Sequence, residues 1–331
     1  MMAPTMVAEW ETQKGVIMAF PKASSDWAEY LDEAQTCVVA IGRAIAQHER
    51  LILITDDAAS TAPHFAGLPN VAIVEMPYND TWMRDCCVIA TRDDERVIYN
   101  DFVFTGWGGK FAASDDDAIS RRLFDAGYFD APMITYTEIL EGGALESDGA
   151  GTIMTTSSCL CNPNRNGGPT KATMEAYLAE NLGASRVLWL DYGHLEGDDT
   201  DGHIDTLARF CSVDTIAYVG LPDESDSHYA AFVAMEQQLK SFRQANGAPY
   251  HLVALPFVAP MHYDDERLPA TYANFLIVNG AVLVPTYGVP QDDEALHILQ
   301  NIFINREVIG IDCAVLVRQH GSLHCMTMQL H

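Results

Sequence analysis

The segment Asn79-Asp80-Thr81-Trp82-Met83-Arg84-Asp85 puts two acids, an arginine and a tryptophan into a loop that leads into an apolar run. Some of these groups must be buried or paired, and a plain structural reading has Arg84 bridging one of the two acids while Trp82 packs. A second cluster, Asp198-Asp199-Thr200-Asp201-Gly202-His203-Ile204-Asp205, crowds four carboxylates around a histidine. Like charges at that density disfavour their own ionisation, so folding gains nothing obvious from them. A calcium loop is the first rival, but its D-x-[DN]-x-[DN]-G frame requires Asp at 197 and Glu at 208, where the chain has Gly197 and Ala208. His203 and Asp205 are two residues apart, so on a strand they share a face, and an imidazole and a carboxylate then address one ligand in acid-base work. Near the C-terminus, His320-Gly321-Ser322-Leu323-His324-Cys325 sets a thiol among small residues that permit close approach by a substrate. Cys325 is the candidate nucleophile, although a cysteine in an apolar stretch is more often packing than chemistry.

Other chemistries lose their support in the same reading. The sequence has no H-E-x-x-H and no paired C-x-x-C, and most of its eleven histidines are dispersed, so no metal and no cofactor is expected. G-x-S-x-G, the Walker glycine loop and G-x-G-x-x-G are absent too, and Gly106-Trp107-Gly108-Gly109-Lys110 matches none of them. Lys and Arg total 19 against 46 Asp and Glu, a formal net charge of -27. That field repels a phosphate backbone or an anionic membrane and attracts a small cation. Nucleic acid and membrane are therefore excluded as expected partners.

The elements that must carry these residues follow from periodicity. With 48% hydrophobic and 20% charged residues the composition is that of a folded globular chain. Trp27, Leu31, Ala34, Val38, Ile41 and Ile45 lie on one face of a 3.6-residue repeat, behind Ser25 as a candidate cap. Shorter helical patterns occur around 119–124, 174–182, 232–242 and 296–302. Between them come short apolar runs at 51–55, 87–91, 152–156, 215–219 and 275–285, which read as strands. In the last, Asn279-Gly280 between two apolar runs predicts a tight hairpin. The pattern of strands, helix, strands recurs at intervals of about 55 to 65 residues, which suggests an internal repeat. A weak echo agrees: Gly143-Ala-Leu-Glu-Ser147 parallels Gly321-Ser-Leu-His-Cys325, and Arg84-Asp85 parallels Ile204-Asp205, each acid opening an apolar run. No apolar run approaches the roughly 20 residues that cross a bilayer. Met1 to Glu9 carries no basic segment, and the eight cysteines are scattered, so a cytoplasmic protein with reduced thiols is expected.

Taken together, Glu9-Trp10-Glu11-x-Gln13, Asn79-Asp80-x-Trp82-x-Arg84-Asp85, Trp107-Gly-Gly-Lys110, Glu141-Gly-Gly143, Asn162-Pro-Asn-Arg-Asn166, Gly202-His-Ile-Asp205 and Gly321-Ser-Leu-His-Cys325 span nearly the whole chain. In order and spacing this set resembles the agmatine deiminase and bacterial-type peptidylarginine deiminase family. Two departures stand out: His320-Gly-Ser where many relatives read Gly-Gly-Asn, and Cys86-Cys87 where relatives commonly show a small residue and Pro.

The resemblance implies an α/β fold of pentein type, a five-bladed pseudo-symmetric α/β propeller, with residues 1–331 forming a single catalytic domain. It implies Cys325 as nucleophile, His203 as acid-base, Asp85 and Asp205 as the carboxylates gripping a guanidinium, and Glu141 supporting His203 and the substrate. It further assigns Asp80, Trp82 and Trp107 to substrate binding. The implied partner is a small cationic guanidino compound, agmatine, with peptidyl or free arginine as the alternative, and the oligomeric state is left open. Two rivals from other classes are a Cys-His-Asp amidase, which needs an oxyanion hole rather than paired acids, and a non-catalytic ring-shaped binding protein.

Overall fold

The computed structural model describes residues 4–93 and 96–331. The expected helices occupy Leu31–His48, Ile119–Asp125, Lys171–Leu182, Tyr229–Ser241 and Asp292–Ile302. Ser25 does not cap the first one. Its hydroxyl donates instead to the Lys22 carbonyl, and a 3-10 turn, Asp26–Tyr30, intervenes before the α-helix. Lys171–Leu182 has firmer ends: the Thr170 side chain accepts from the Thr173 amide, and Gly183 takes the left-handed conformation at φ 66°. A Cβ there would stand 2.1 Å from the Pro4 carbonyl oxygen, so glycine is required on two counts.

Each of these helices belongs to the same local unit. Ala208–Ser212 pairs antiparallel with Thr215–Val219, the helix crosses over, and His251–Leu255 returns parallel to Thr215–Val219. Leu276–Val278, Ala281–Thr286 and Glu307–Asp312 repeat that order around their own helix, and so do Glu146–Ser147, Thr152–Thr156 and Arg186–Leu190. Ile89–Asp93, Arg96–Val103 and Met133–Ile139 do likewise, with Thr5–Met6 added at one edge. In the remaining unit the first strand comes from the other end of the chain: Met328–Leu330 pairs antiparallel with Gly15–Ala19, followed by Leu51–Thr55 and Val71–Glu75 in parallel. The repeat predicted from periodicity is thus five separate sheets within a mixed α/β chain; a sixth, two-stranded sheet of His262–Tyr263 and Glu266–Arg267 stands outside the repeat, and none of the six closes on itself among the described residues.

Apolar sequence explains where these strands go. Gly15–Ala19, Leu51–Thr55 and Thr152–Thr156 are buried along their whole length, as central strands covered on both faces are. The Leu31–His48 helix buries Ala34, Val38, Ile41 and Ile45 against that layer. Each such aliphatic side chain contributes roughly 1.5–3 kcal/mol, alanine less. At the predicted hairpin, Gly280 adopts φ 80°, the positive value the tight turn requires. No described helix is long and apolar enough to cross a membrane.

Candidate active site

The five units bring chemistry to one place by a common device. In each, a short turn precedes the first strand, and that turn carries a polar group: Asp85 in Met83–Cys86, Glu141 and Gly143 at Gly142–Ala144, His203 and Asp205 at Ile204–Thr206, Asn274 ahead of Leu276–Val278, and Cys325 ahead of Met328–Leu330. His203 and Asp205 therefore do not share a strand face as their spacing predicts. A 3-10 turn starts between them, and it is the turn that aims both inward.

The convergence is tight. A Cβ on Gly143 would stand 2.6 Å from His203 Nδ1, 2.8 Å from Asp85 Oδ1 and 3.3 Å from Asp205 Oδ2. Cys325 Sγ lies 3.7 Å from that same Asp205 oxygen. The Gly143 amide donates to Asp85 Oδ1 at 3.0 Å, and Trp107 Nε1 donates to Asp85 Oδ2 at 3.0 Å. His203 Nε2 is 3.1 Å from Glu141 Oε2, while its Nδ1 is 3.5 Å from Asp85 Oδ1. His203 Nδ1 and Asp205 Oδ1 are buried and, among the described residues, have no hydrogen-bond partner. Two orphaned polar atoms beside a cavity mark where a polar ligand is to be received. Gly143→Ala is expected to leave a folded protein with activity reduced at least about a hundredfold, because the methyl group displaces the imidazole by an ångström or more. Steady-state rates alongside a thermal melt check it.

Electrostatics divides the roles. Burial lifts the Asp85 carboxyl to about 6, against the attraction of His203 and with the repulsion of Asp205 and Glu141. Burial opposes the charge on His203 as well, but Asp85, with Cys159 and Glu141 behind, holds the imidazole well above its usual range. Glu141 is kept low in spite of burial by His203 and Arg165, and Asp205 by the hydrogen bond from His324. The Cys325 thiol is pushed well up by burial, Asp205 and Asp85. The resting site is therefore an imidazolium among carboxylates beside a protonated thiol. An arriving cation offsets those acids and favours the thiolate.

A cavity of about 170 Å³ opens from this centre to solvent. Asp80, Trp82, Asp85, Trp107 and Cys325 all line it, whereas His203, Asp205 and Glu141 sit behind that lining. Asp26 and Asp199 add two further acids, and among the described residues no lysine or arginine reaches the wall. Lys110 bonds to Asp201 at 2.9 Å, and Arg165 is buried between Glu141 and Asp201. The carboxylates at 198–205 accordingly do not act as one cluster. Asp198 accepts from Thr200 and Gly202, Asp201 pairs with the two cations, and Asp199 faces the cavity.

Several readings need correction or addition. Arg84 bridges neither Asp80 nor Asp85: it pairs with Glu9 at 3.1 Å and bonds to Gln329, because Asp80 is already taken by Trp27, Thr81 and Trp82. Asn274 was not singled out by its sequence context, yet its Nδ2 donates to Cys325 Sγ at 3.2 Å and to Asp205 Oδ2 at 3.3 Å, and its Oδ1 accepts from the His324 and Cys325 amides. His324 was passed over in the same way; its Nδ1 is 2.7 Å from Asp205 Oδ2. One signal lay in Asn274 itself, a lone polar residue opening an apolar strand. Of the two departures, Cys86 and Cys87 are buried packing, while His320 lines the cavity at φ 64° with Nδ1 bonded to the Gly197 carbonyl.

The sequence matches the model of the Porphyromonas-type peptidyl-arginine deiminases over residues 5–330. The chain belongs to that family. An agmatine deiminase from Stutzerimonas stutzeri is 31% identical over 349 residues, covering 98% of this chain and 94% of the relative. Among structures of this family's fold, agmatine deiminase from C. jejuni, as a cysteine-to-serine variant with substrate bound, is 34% identical with a TM-score of 0.93, covering 99% and 96% of the two chains. A Porphyromonas gingivalis protein provisionally designated an arginine deiminase is 50% identical with a TM-score of 0.93, covering 98% of each.

Proposed function

We propose that this member of the peptidyl-arginine deiminase family is an agmatine deiminase, a hydrolase that converts agmatine and water to N-carbamoylputrescine and ammonia. The observation that carries this reading is a pocket with Asp85 and Cys325 at one end, Asp205 directly behind them, and Asp26, Asp80 and Asp199 along the rest, with no lysine or arginine among the described residues of its wall. Agmatine is a dication with no carboxylate, so both its ends suit such a wall; the α-carboxylate of arginine meets repulsion instead.

Asp85 and Asp205 accept the guanidinium N-H groups and fix its plane, which draws charge onto the central carbon. Docking of the cation drives the thiol proton out to solvent, and the Cys325 thiolate bonds to that carbon, giving a neutral tetrahedral adduct. His203 gives its Nδ1 proton to the departing nitrogen, which leaves as ammonia, while Glu141 holds Nε2. Water, deprotonated by the now neutral His203, attacks the thiouronium carbon. The C-S bond breaks, the ureido product departs, and the thiol is restored. Asn274 steadies the sulfur through its N-H; Trp82, Trp107 and Asp80 shape the pocket. The chemistry calls for no cofactor.

Five repeated units, whose leading turns share one centre and whose last strand, Met328–Leu330, pairs with Gly15–Ala19 near the other end of the chain, support a five-bladed ring of pentein type acting as a single domain. Eight free cysteines fit a reducing compartment, and we place the protein in the cytoplasm.

Incubation with agmatine should yield ammonia and N-carbamoylputrescine in equal amounts, with kcat/KM at least about a hundredfold above that for free arginine or a peptide ending in arginine. The 50% identity to the P. gingivalis protein favours the second reading, arginine or peptidyl arginine, and a reversed order of rates selects it. The pH dependence follows from Asp85, which must be ionised to grip the cation. Its carboxyl gains a proton as pH falls through about 6, so kcat/KM should drop below that value toward a tenfold loss per unit. A profile flat down to pH 5 removes Asp85 from the clamp.

A further inference from the structure

The proposed reaction uses Cys325 and leaves a second thiol idle in the same core. Cys159, from the turn Ser157–Leu160, places Sγ 3.7 Å from Glu141 Oε2. His203 Nε2 lies 3.1 Å from that same oxygen. The sulfur, nitrogen and oxygen all lie within 4.8 Å of one another, and the three side chains are buried.

Thiolate, imidazole and a single carboxylate form a donor set for borderline or soft divalent metals rather than for calcium or magnesium, which take oxygen. Bond lengths of about 2.3 Å to sulfur and about 2.0 Å to nitrogen and oxygen give tetrahedral edges of about 3.5 Å for S to O and about 3.3 Å for N to O. The observed separations, 3.7 and 3.1 Å, differ from those edges by about 0.2 Å. We propose that Glu141, Cys159 and His203 form an inhibitory site for a divalent metal ion of the zinc class.

Binding replaces two protons, one on the Cys159 sulfur and one on His203 Nε2, both released to solvent. Arg165 contacts both carboxylate oxygens, with Nε 3.1 Å from Oε1 and 2.9 Å from Oε2. When the metal takes Oε2, Arg165 retains Oε1 and its pairing with Asp201. Its charge weakens the metal's hold, which makes the site a reversible inhibitory one and not a permanent structural centre. Inhibition rests on the role of His203 in the proposed reaction. With Nε2 on the metal, the ring keeps its proton on Nδ1, since losing it leaves an imidazolate, and it no longer accepts a proton from the attacking water.

The test separates the site from the reaction. Cys325→Ser protein has no nucleophile, and Co2+ titrated into it should give a thiolate-to-cobalt charge-transfer band in the near ultraviolet, saturating at one ion per chain. Adding Cys159→Ser should abolish the band. No band in Cys325→Ser, or a band that survives in the double variant, overturns the proposal whatever the substrate proves to be. With the nucleophile present, Zn2+ should suppress ammonia release, and Cys159→Ser should raise the half-inhibiting Zn2+ concentration at least about tenfold relative to that variant's own metal-free rate. Equal sensitivity with and without Cys159 also overturns it.

Discussion

Cys325→Ser is expected to bind agmatine and to release no measurable ammonia, a loss of about 10⁵-fold or more in kcat. The Cys325 sulfur sits 3.2 Å from Asn274 Nδ2 and 3.7 Å from Asp205 Oδ2, so the side chain is held by contacts a serine hydroxyl can largely keep. What serine lacks is an accessible anion. Burial, with Asp205 and Asp85 beside it, drives the Cys325 thiol well above its ordinary value, and a bound guanidinium offsets those two carboxylates. An alcohol starts many orders of magnitude less acidic than a thiol, so the same offset leaves it protonated and unreactive. Calorimetric titration with agmatine and an ammonia assay on one preparation separate binding from chemistry. Appreciable turnover by the variant rules out attack by sulfur.

Asp85→Asn should cost about 10³-fold in kcat/KM, equivalent to about 4 kcal/mol, because a charged hydrogen-bond pair is lost in a dry pocket. Asp85 Oδ1 accepts from the Gly143 amide and Oδ2 from Trp107 Nε1, and both oxygens still have lone pairs for the substrate. An amide offers one acceptor. It therefore either leaves Trp107 or Gly143 unpaired or turns its NH2 toward the guanidinium, donor against donor. Loss of fold does not explain the effect in advance, since the Asp85 carboxyl is raised to about 6 by burial and its charge is a burden on the folded state at neutral pH. The expected result is a melting temperature close to that of the parent with the kinetic loss in place. A kcat/KM near the parent value makes Asp85 a packing residue.

Much of the architecture was legible because period and punctuation agreed. The apolar stripe from Ala34 to Ile45 and the Asn279-Gly280 turn each depend on local rules that tertiary packing does not override, whereas Trp27, read as part of the same stripe, falls in the 3-10 turn ahead of that helix. The echo between Arg84-Asp85 and Ile204-Asp205 had a physical cause: both acids occupy the turn before a first strand, and both reach the Gly143 contact point. The companion echo between Ser147 and Cys325 was less informative, since Ser147 lies within its strand and donates to the Met6 carbonyl, away from the pocket.

What escaped the sequence was the support behind the reacting groups. Arg209 is buried between Glu146 and Glu9, and Glu9 in turn meets His324, which holds Asp205. These residues come from separate units, and nothing in their local spacing announces the pairing. Asn274 escaped for a related reason: one amide between Ala273 and Phe275 has no charged neighbour to draw notice, and its function arises only where the unit that begins with Leu276–Val278 meets the turn carrying Cys325.

Rapid mixing with agmatine, an acid quench within the first turnovers and mass analysis of the proteolytic fragment carrying Cys325 give the most direct view of the chemistry. The account predicts a transient fragment heavier by the mass of agmatine less ammonia, formed as ammonia is released and lost as N-carbamoylputrescine appears, and absent from Cys325→Ser. Steady ammonia release with that fragment unmodified at every time point contradicts it.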